Sequence, residues 1–167
     1  MGTDSMPNFQ STLKSDVIDL ASQAFTSFCD DMSGMFGVDM SCRQVKMNEN
    51  AGEEVGKYYK TLSAVYSVKV SGTLNEDFHI LVDRAGLFTI AGVVVMLPQS
   101  RILSSAKRGT LADANEISDA VSEVGNLMIS SWDRSFRAGM GGKTRFLHTG
   151  TFVGDPCAGD NGVLDLG

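Results

Sequence analysis

The segment from Leu62 to Val70 has a period of two. Its apolar residues at positions 62, 64, 66, 68 and 70 alternate with a second set, Ser63, Val65, Ser67 and Lys69. A period of two is typical of a half-buried β-strand, because successive side chains of a strand point to opposite faces of the sheet. Ser71-Gly72 interrupts the pattern, and the residues from Leu74 to Val82 predict a second strand. Together the two segments predict an antiparallel hairpin with a short turn near Gly72.

Segments with helical periodicity lie on both sides of this hairpin. From Phe9 to Met35 apolar residues recur at helical spacing, which predicts a long helix that ends at Gly34 and Gly37. A second helix is predicted from Arg84 to Met96, where Val93-Val94-Val95 also allows a strand, and Pro98 ends it. The polar stretch Asn48–Gly56 is interpreted as a loop or hairpin tip.

A third helix is predicted to begin at Thr110-Leu111-Ala112-Asp113, which has the form of a capping box. It is predicted to run to about Arg137, where the glycines at 139, 141 and 142 terminate it. A further strand is predicted from Thr144 to Val153.

This order of elements predicts the fold class. Long helices on both sides of a hairpin favour an α/β fold of the α+β type, with a mostly antiparallel sheet and the helices packed on one face. The length of 167 residues suits one domain that can bury a core. We assign that domain to residues 9–167 and expect residues 1–8 to form a loose N-terminus.

The charge of the chain excludes some classes of partner. Its formal net charge is −6 and its pI is near 4.8. Nucleic acids bind clustered Lys and Arg, and this acidic chain has no basic patch. We therefore expect it to bind neither nucleic acid nor an anionic membrane surface. The longest apolar stretch, Ile90–Leu97, is too short to span a bilayer.

The cysteines predict a reduced protein. Cys29, Cys42 and Cys157 are odd in number and widely spaced, and only His79 and His148 could join them as metal ligands. Neither a disulfide framework nor a zinc site is therefore expected. The first ten residues lack the pattern of a signal peptide, and we expect a cytoplasmic location.

The third predicted helix carries a polar stripe formed by Asp119, Glu123, Asn126, Ser130 and Asp133. At 100° per residue these five positions lie within an arc of about 80°. The opposite side is apolar and consists of Ile117, Val121, Val124, Met128 and Trp132. Any amphipathic helix has such a stripe, so the spacing alone does not assign a function.

Gly125 lies in the middle of this helix. A glycine there costs about 1 kcal/mol relative to alanine. Its presence predicts that another group approaches the helix backbone closely at this point.

The segment Asp119–Asn126 resembles the signature of the CheC/CheX family of bacterial chemotaxis phosphatases. The spacing Asp-x-x-x-Glu-x-x-Asn is that of the family, and Glu123-Val124-Gly125-Asn126 is similar to its usual Glu-Ile-Gly-Asn. An N-terminal helix, a hairpin, a middle helix and then the motif helix is also the family's order. The resemblance in layout covers about residues 9–153.

This resemblance implies a phosphatase that removes phosphate from a CheY-like response regulator in two-component signalling. It implies that Asn126 positions the attacking water and that Glu123 reaches the regulator's active-site lysine, with Asp119 and Ser130 as further docking residues. An amide suits the task because it accepts and donates hydrogen bonds without a charge that phosphate would repel. The regulator brings its own Mg²⁺, so the chain is expected to hold no cofactor.

The chain departs from the family after the motif. The family's proline near the start of the next strand is absent, and the neighbourhood reads Phe146-Leu147-His148-Thr149. Where the family often has glycine or alanine, this chain has Ile129-Ser130-Ser131. These changes keep a second interpretation open, namely a regulator-binding or flagellar-switch-like module without catalysis.

CheC-type members carry a second copy of the motif near the N-terminus. Here the corresponding residues are Asp16, Leu20 and Gln23, so the copy is degenerate. The chain therefore resembles the single-motif CheX type more closely, and because CheX-type members dimerise, a homodimer is expected.

Two other features are interpreted as structural. Gly142-Lys143-Thr144 is similar to part of a P-loop, but Arg137 occupies the position of the first glycine and a helix precedes the segment. His79 and His148 lie in or near predicted strands without an acidic or cysteine companion at useful spacing.

Overall fold

The computed structural model describes residues 9–43, 45–48, 51–59, 61–158 and 164. The predicted loose N-terminus, residues 1–8, lies outside the described residues. In order along the chain the elements are α1 (Phe9–Phe36), α2 (Ala51–Tyr58), β1 (Ser63–Gly72), β2 (Phe78–Val82), α3 (Arg84–Val94), α4 (Gln99–Arg108), α5 (Leu111–Glu116), α6 (Ser118–Gly139) and β3 (Thr144–Gly154).

The three strands form an antiparallel sheet in the order β2-β1-β3. The predicted α+β fold and the predicted hairpin are thus confirmed. The second strand begins at Phe78 rather than at Leu74, because residues 73–77 connect the strands. In that connection the Asp77 carboxylate accepts a hydrogen bond from the Val70 amide at 3.3 Å.

Strand β1 joins the sheet to the helices through one of its faces. Ala64, Tyr66, Val68 and Val70 belong to the same buried cluster as the apolar side of α6. The Tyr66 hydroxyl donates a hydrogen bond to the Val121 carbonyl of α6 at 2.9 Å. Burial raises the pKa of Tyr66, which keeps this hydroxyl protonated as a donor.

The other face of β1 is more buried than its sequence pattern predicts. Val65 has no exposed surface, and its cross-strand neighbours are Leu81 on β2 and Phe152 on β3. The later outward residues Lys69 and Ser71 are exposed. The first half of β1 is therefore buried on both faces.

The helix that was predicted from Thr110 to about Arg137 is divided in two. Its capping box is present, since the Thr110 amide donates to Asp113 at 2.7 Å and the Asp113 amide donates to the Thr110 hydroxyl at 3.2 Å. Ile117 then leaves helical geometry, with φ −116° and ψ 26°. Its amide bonds to the Ala114 carbonyl, three residues back, so the last turn of α5 is tight. Helix α6 consequently begins one residue before Asp119.

Two helices differ from the sequence prediction. The stretch Asn48–Gly56, predicted as a loop, contains most of α2, because Ala51, Glu53 and Glu54 favour a helix despite the glycines at 52 and 56. The second is α4, since no helix was predicted for its residues, Gln99–Arg108. The end of α1 is confirmed, since Gly37 has φ 66° and its amide donates to the Ser33 carbonyl at 3.0 Å.

Candidate functional site

The polar stripe lies on the exposed side of α6. Asp119, Glu123, Asn126 and Ser130 are all exposed. The buried side of the helix comprises Ala120, Val121, Val124, Gly125, Met128, Ile129, Ser131 and Phe136. The predicted division of the helix into a polar face and a core face is confirmed, and a partner can reach the motif side chains from solvent.

Glu123 and Asn126 are in direct contact. The Asn126 side-chain nitrogen donates a hydrogen bond to Glu123 Oε2 at 3.2 Å. Within the described part of the chain, the side chains of Asp119 and Ser130 form no hydrogen bond or ion pair. The structure thus joins two of the four residues predicted for the site and leaves the other two free on the same face.

A third residue belongs to this group. His148 Nδ1 lies 2.7 Å from Asn126 Oδ1, and His148 Nε2 lies 2.9 Å from Thr151 Oγ1 and 3.0 Å from the Gly150 carbonyl oxygen. The sequence interpretation treated His148 as structural, because it has no acidic or cysteine companion at useful spacing, and its actual partner Asn126 lies 22 residues earlier. Its one sequence signal is its position in the segment where the family's proline is missing.

The mid-helix glycine is explained by packing inside the chain. A Cβ atom at Gly125 would lie 2.5 Å from Tyr66 Cδ1 and 3.0 Å from His148 Cε1. The predicted close approach to the backbone is therefore confirmed, and the approaching groups are two rings of the sheet. Gly125 lets α6 lie directly on β1 and β3, which brings Asn126 within reach of His148.

Asp133, the last residue of the predicted stripe, connects α6 to β3. Its Oδ1 atom accepts hydrogen bonds from the Phe146 amide at 2.8 Å and from Arg145 Nε at 3.2 Å, and Arg137 donates to Oδ2. Its side chain is only 14% exposed. Burial on its own raises the pKa of this carboxyl, but the bonds from Phe146, Arg137 and Arg145 outweigh it, so the pKa lies below its usual value.

The lowered pKa of Asp133 predicts a pH-dependent stability. A carboxyl with a lower pKa in the folded state contributes stability above its unfolded pKa, about 3.9, and loses it as the pH falls through the folded value. Asp133→Asn should therefore lower the free energy of unfolding by about 1–2 kcal/mol at neutral pH, because an amide nitrogen would face the donors. The difference from the wild type should shrink below about pH 4. Urea unfolding across this pH range measures it.

Glu116→Gln is the matched control. Glu116 pairs with Arg101 at 3.1 Å, but the two side chains are 63% and 58% exposed. An exposed pair contributes at most about 1 kcal/mol, so this variant should unfold nearly like the wild type. A pH-independent loss in Asp133→Asn would contradict the assigned role of the carboxylate.

One of the α1 residues that were interpreted as a degenerate copy of the motif packs against α6. Leu20, at the position of the motif glutamate, lies where a Cβ atom on Gly139 would be 2.2 Å from Leu20 Cδ2. The same helix pair is held by Arg134, which donates to Asp31 at 2.6 Å and to Ser27 at 2.7 Å. An apolar leucine that packs in this contact cannot act as a docking carboxylate.

The remaining candidates are structural, as their sequence context indicated. Helix α6 precedes Gly142-Lys143-Thr144, and the side chain of Thr144 is buried against Met140, so the segment offers no phosphate-binding loop. His79 contacts Ser67 at 3.3 Å on the exposed side of the sheet. In the described ranges no group of three or more His, Cys, Asp or Glu side chains could hold a metal ion. Nor is any helix there both long and apolar enough to cross a bilayer.

The comparisons with known proteins give a fold relationship. No protein-family model and no curated protein matches the sequence. The structure is similar to the crystal structure of Thermotoga maritima FliY, with a TM-score of 0.59 and 15% sequence identity. The match covers 89% of this chain and 70% of that one. The chain therefore shares the fold of FliY.

Proposed function

We propose that this protein accelerates hydrolysis of the aspartyl phosphate on a CheY-like response regulator. In this proposal Asn126 positions the attacking water, Glu123 docks on the regulator's active-site lysine, and Asp119 and Ser130 contact the regulator beside them. The regulator supplies Mg²⁺ and most of the charge stabilisation, so the phosphatase has to contribute a correctly placed water. FliY, whose fold the chain shares, is a CheC/CheX-family protein, which agrees with the motif on α6.

The observation that carries this proposal is the exposed pair of Glu123 and Asn126 on α6. An amide has two donors and two acceptor lone pairs, and the contacts with Glu123 and His148 use one of each. One N–H and one lone pair are left to bind a water molecule. The stripe lies on a convex helix face, so the regulator itself would have to enclose that water.

Glu123 suits docking because its carboxylate is exposed and lies one turn before Asn126. A charge pair with the regulator's lysine would fix the register of the two proteins and hold Asn126 opposite the phosphoryl group. The resemblance also predicts a homodimer, and such a dimer would have to leave the α6 stripe exposed.

One observation favours the second candidate, a regulator-binding or flagellar-switch-like module without catalysis. The Asn126 amide already has two partners within the chain, as expected of a residue that only maintains the shape of a docking surface. In addition, the side chains of Ile129 and Ser131 are buried, and the Ser131 hydroxyl donates a hydrogen bond to Asp31 at 3.1 Å. Such a module would bind the phosphorylated regulator without shortening the lifetime of its phosphate.

The direct test measures phosphate release from a phosphorylated CheY-like regulator in Mg²⁺, with and without the protein. We expect the protein to accelerate release. We expect Glu123→Gln to raise KM for the regulator on the order of tenfold with a smaller change in kcat, because the docking charge is lost. The glutamine oxygen can still accept from Asn126, so the water-positioning amide is retained.

Asp16→Asn is the control for this variant, since Asp16 is an exposed carboxylate on α1. It should leave KM unchanged. Tight binding of the phosphorylated regulator with no acceleration of phosphate release would replace the enzyme by the binding module.

A further inference from the structure

Strand β3 contains a β-bulge beside the candidate site. Ser67 of β1 pairs with Gly150 and Val68 pairs with His148, so Thr149 is the extra residue. In a regular strand, residues three apart point to opposite faces. The extra residue places His148 and Thr151 on the same face, opposite Val68 and Tyr66, and that face meets α6. Bulges occur often next to active sites, where they redirect a side chain.

The hydrogen bonds around the bulge form a continuous chain from Thr151 to Glu123. Asn126 donates to the Glu123 carboxylate through its nitrogen, which turns its oxygen toward His148. The reverse amide orientation would set the Asn126 oxygen against the carboxylate, with two acceptors facing each other. His148 Nδ1 must therefore carry a proton and donate to Asn126 Oδ1. On the other side of the ring, His148 Nε2 contacts the Thr151 hydroxyl at 2.9 Å and the Gly150 carbonyl oxygen at 3.0 Å.

The imidazole ring itself is held in place by the core. It packs edge-on against Tyr66, with ring centroids 5.9 Å apart and an angle of 74° between the planes. Tyr66 in turn bonds to α6 and is 1% exposed. The exposed Asn126 side chain is thus connected to a rigid group, whereas an asparagine on a helix surface ordinarily rotates freely.

We propose that His148 is a positioning residue that fixes the orientation of the Asn126 amide for catalysis. This inference rests on the proposed phosphatase function. It adds a residue of β3 to the motif residues on α6. A fixed amide presents its remaining N–H and lone pair in constant directions, so the attacking water is ordered before the regulator docks.

The test is a double-mutant cycle on the full chain, with phosphorylated CheY-like regulator as substrate. His148→Phe keeps the ring contact with Tyr66 but removes the donor to Asn126. We expect kcat to fall about tenfold with KM unchanged, because the loss affects water placement and not docking. His148→Asn retains a side-chain N–H near the position of Nδ1 and should recover most of the rate. In the Asn126→Ala background, His148→Phe should have no further effect.

The outcomes separate this inference from the proposed function. An active wild type whose kcat is unchanged by His148→Phe, or an equal loss in the presence and absence of Asn126, would overturn the positioning role alone. No acceleration by the wild type would overturn the phosphatase and the positioning role together.

A measurement independent of catalysis checks the contact itself. In the ¹⁵N–¹H spectrum of the free protein, the side-chain amide signals that vanish in Asn126→Ala belong to Asn126. They should shift in His148→Phe and return toward their wild-type positions in His148→Asn. The signals of Asn115, an exposed residue of α5, should stay in place. Asn126 signals that do not respond to His148→Phe would contradict the inference.

Discussion

Asn126→Ala should lower the rate at which this protein dephosphorylates a CheY-like regulator on the order of a hundredfold, and the protein should remain folded. A hundredfold loss corresponds to about 2.7 kcal/mol in the activation barrier. The same substitution removes exposed hydrogen bonds to Glu123 and His148, which should change the free energy of unfolding by no more than about 1 kcal/mol. The kinetic loss therefore exceeds anything that reduced stability could cause.

The measurement is single-turnover release of phosphate with excess phosphatase, combined with urea unfolding of each variant. Asn115→Ala is the matched control, since it removes an exposed asparagine from the neighbouring helix α5. Asn126→Asp gives a second check, because a carboxylate of the same shape would repel the phosphoryl oxygens and should be as inactive as alanine. A fully active Asn126→Ala would exclude water positioning by this amide.

Gly72→Ala should cause the largest loss of stability that we predict, more than about 3 kcal/mol. Gly72 has φ 106°, a conformation that other residues rarely adopt. A Cβ atom there would lie 1.6 Å from the Lys143 carbonyl oxygen, and that backbone cannot move freely because Thr73 donates to the same oxygen at 3.3 Å. Chemical denaturation gives the free energy of unfolding directly.

Gly142→Ala separates the two causes of this loss. Gly142 has φ 80°, but a Cβ atom there would meet no atom within 4 Å. This variant should show the cost of the backbone conformation alone, about 1–2 kcal/mol. Equal losses in the two variants would show that the collision with Lys143 is relieved at little cost.

Much of the fold could be predicted from local patterns. The alternation around Tyr66 gave β1, helical spacing gave α1, and Thr110 with Asp113 gave the start of α5. These patterns succeed because the periods of strands and helices are properties of the backbone geometry itself. The break at Ile117 was missed, although Asn115, Ser118 and Asp119 beside it favour helix ends over helix interiors.

The position of the motif on one face of α6 could also be predicted from the sequence. Glu123 and Asn126 are three residues apart on one helix, and helical geometry alone places them side by side. The polar face and the apolar face follow from the same spacing. Gly125 marked a close approach to the backbone, although nothing in the sequence identified what approaches.

Only the tertiary structure decided which groups complete the site. Tyr66 and His148 reach Gly125 and Asn126 because α6 lies across β1 and β3, and the bulge at Thr149 brings Thr151 onto the same face as His148. Contacts between residues far apart in the chain follow from the packing of whole elements, and a register shift of one residue would point His148 away from α6. The sequence by itself thus determined the helix face that carries the motif, while the packing of that helix on the sheet decided how its amide is held.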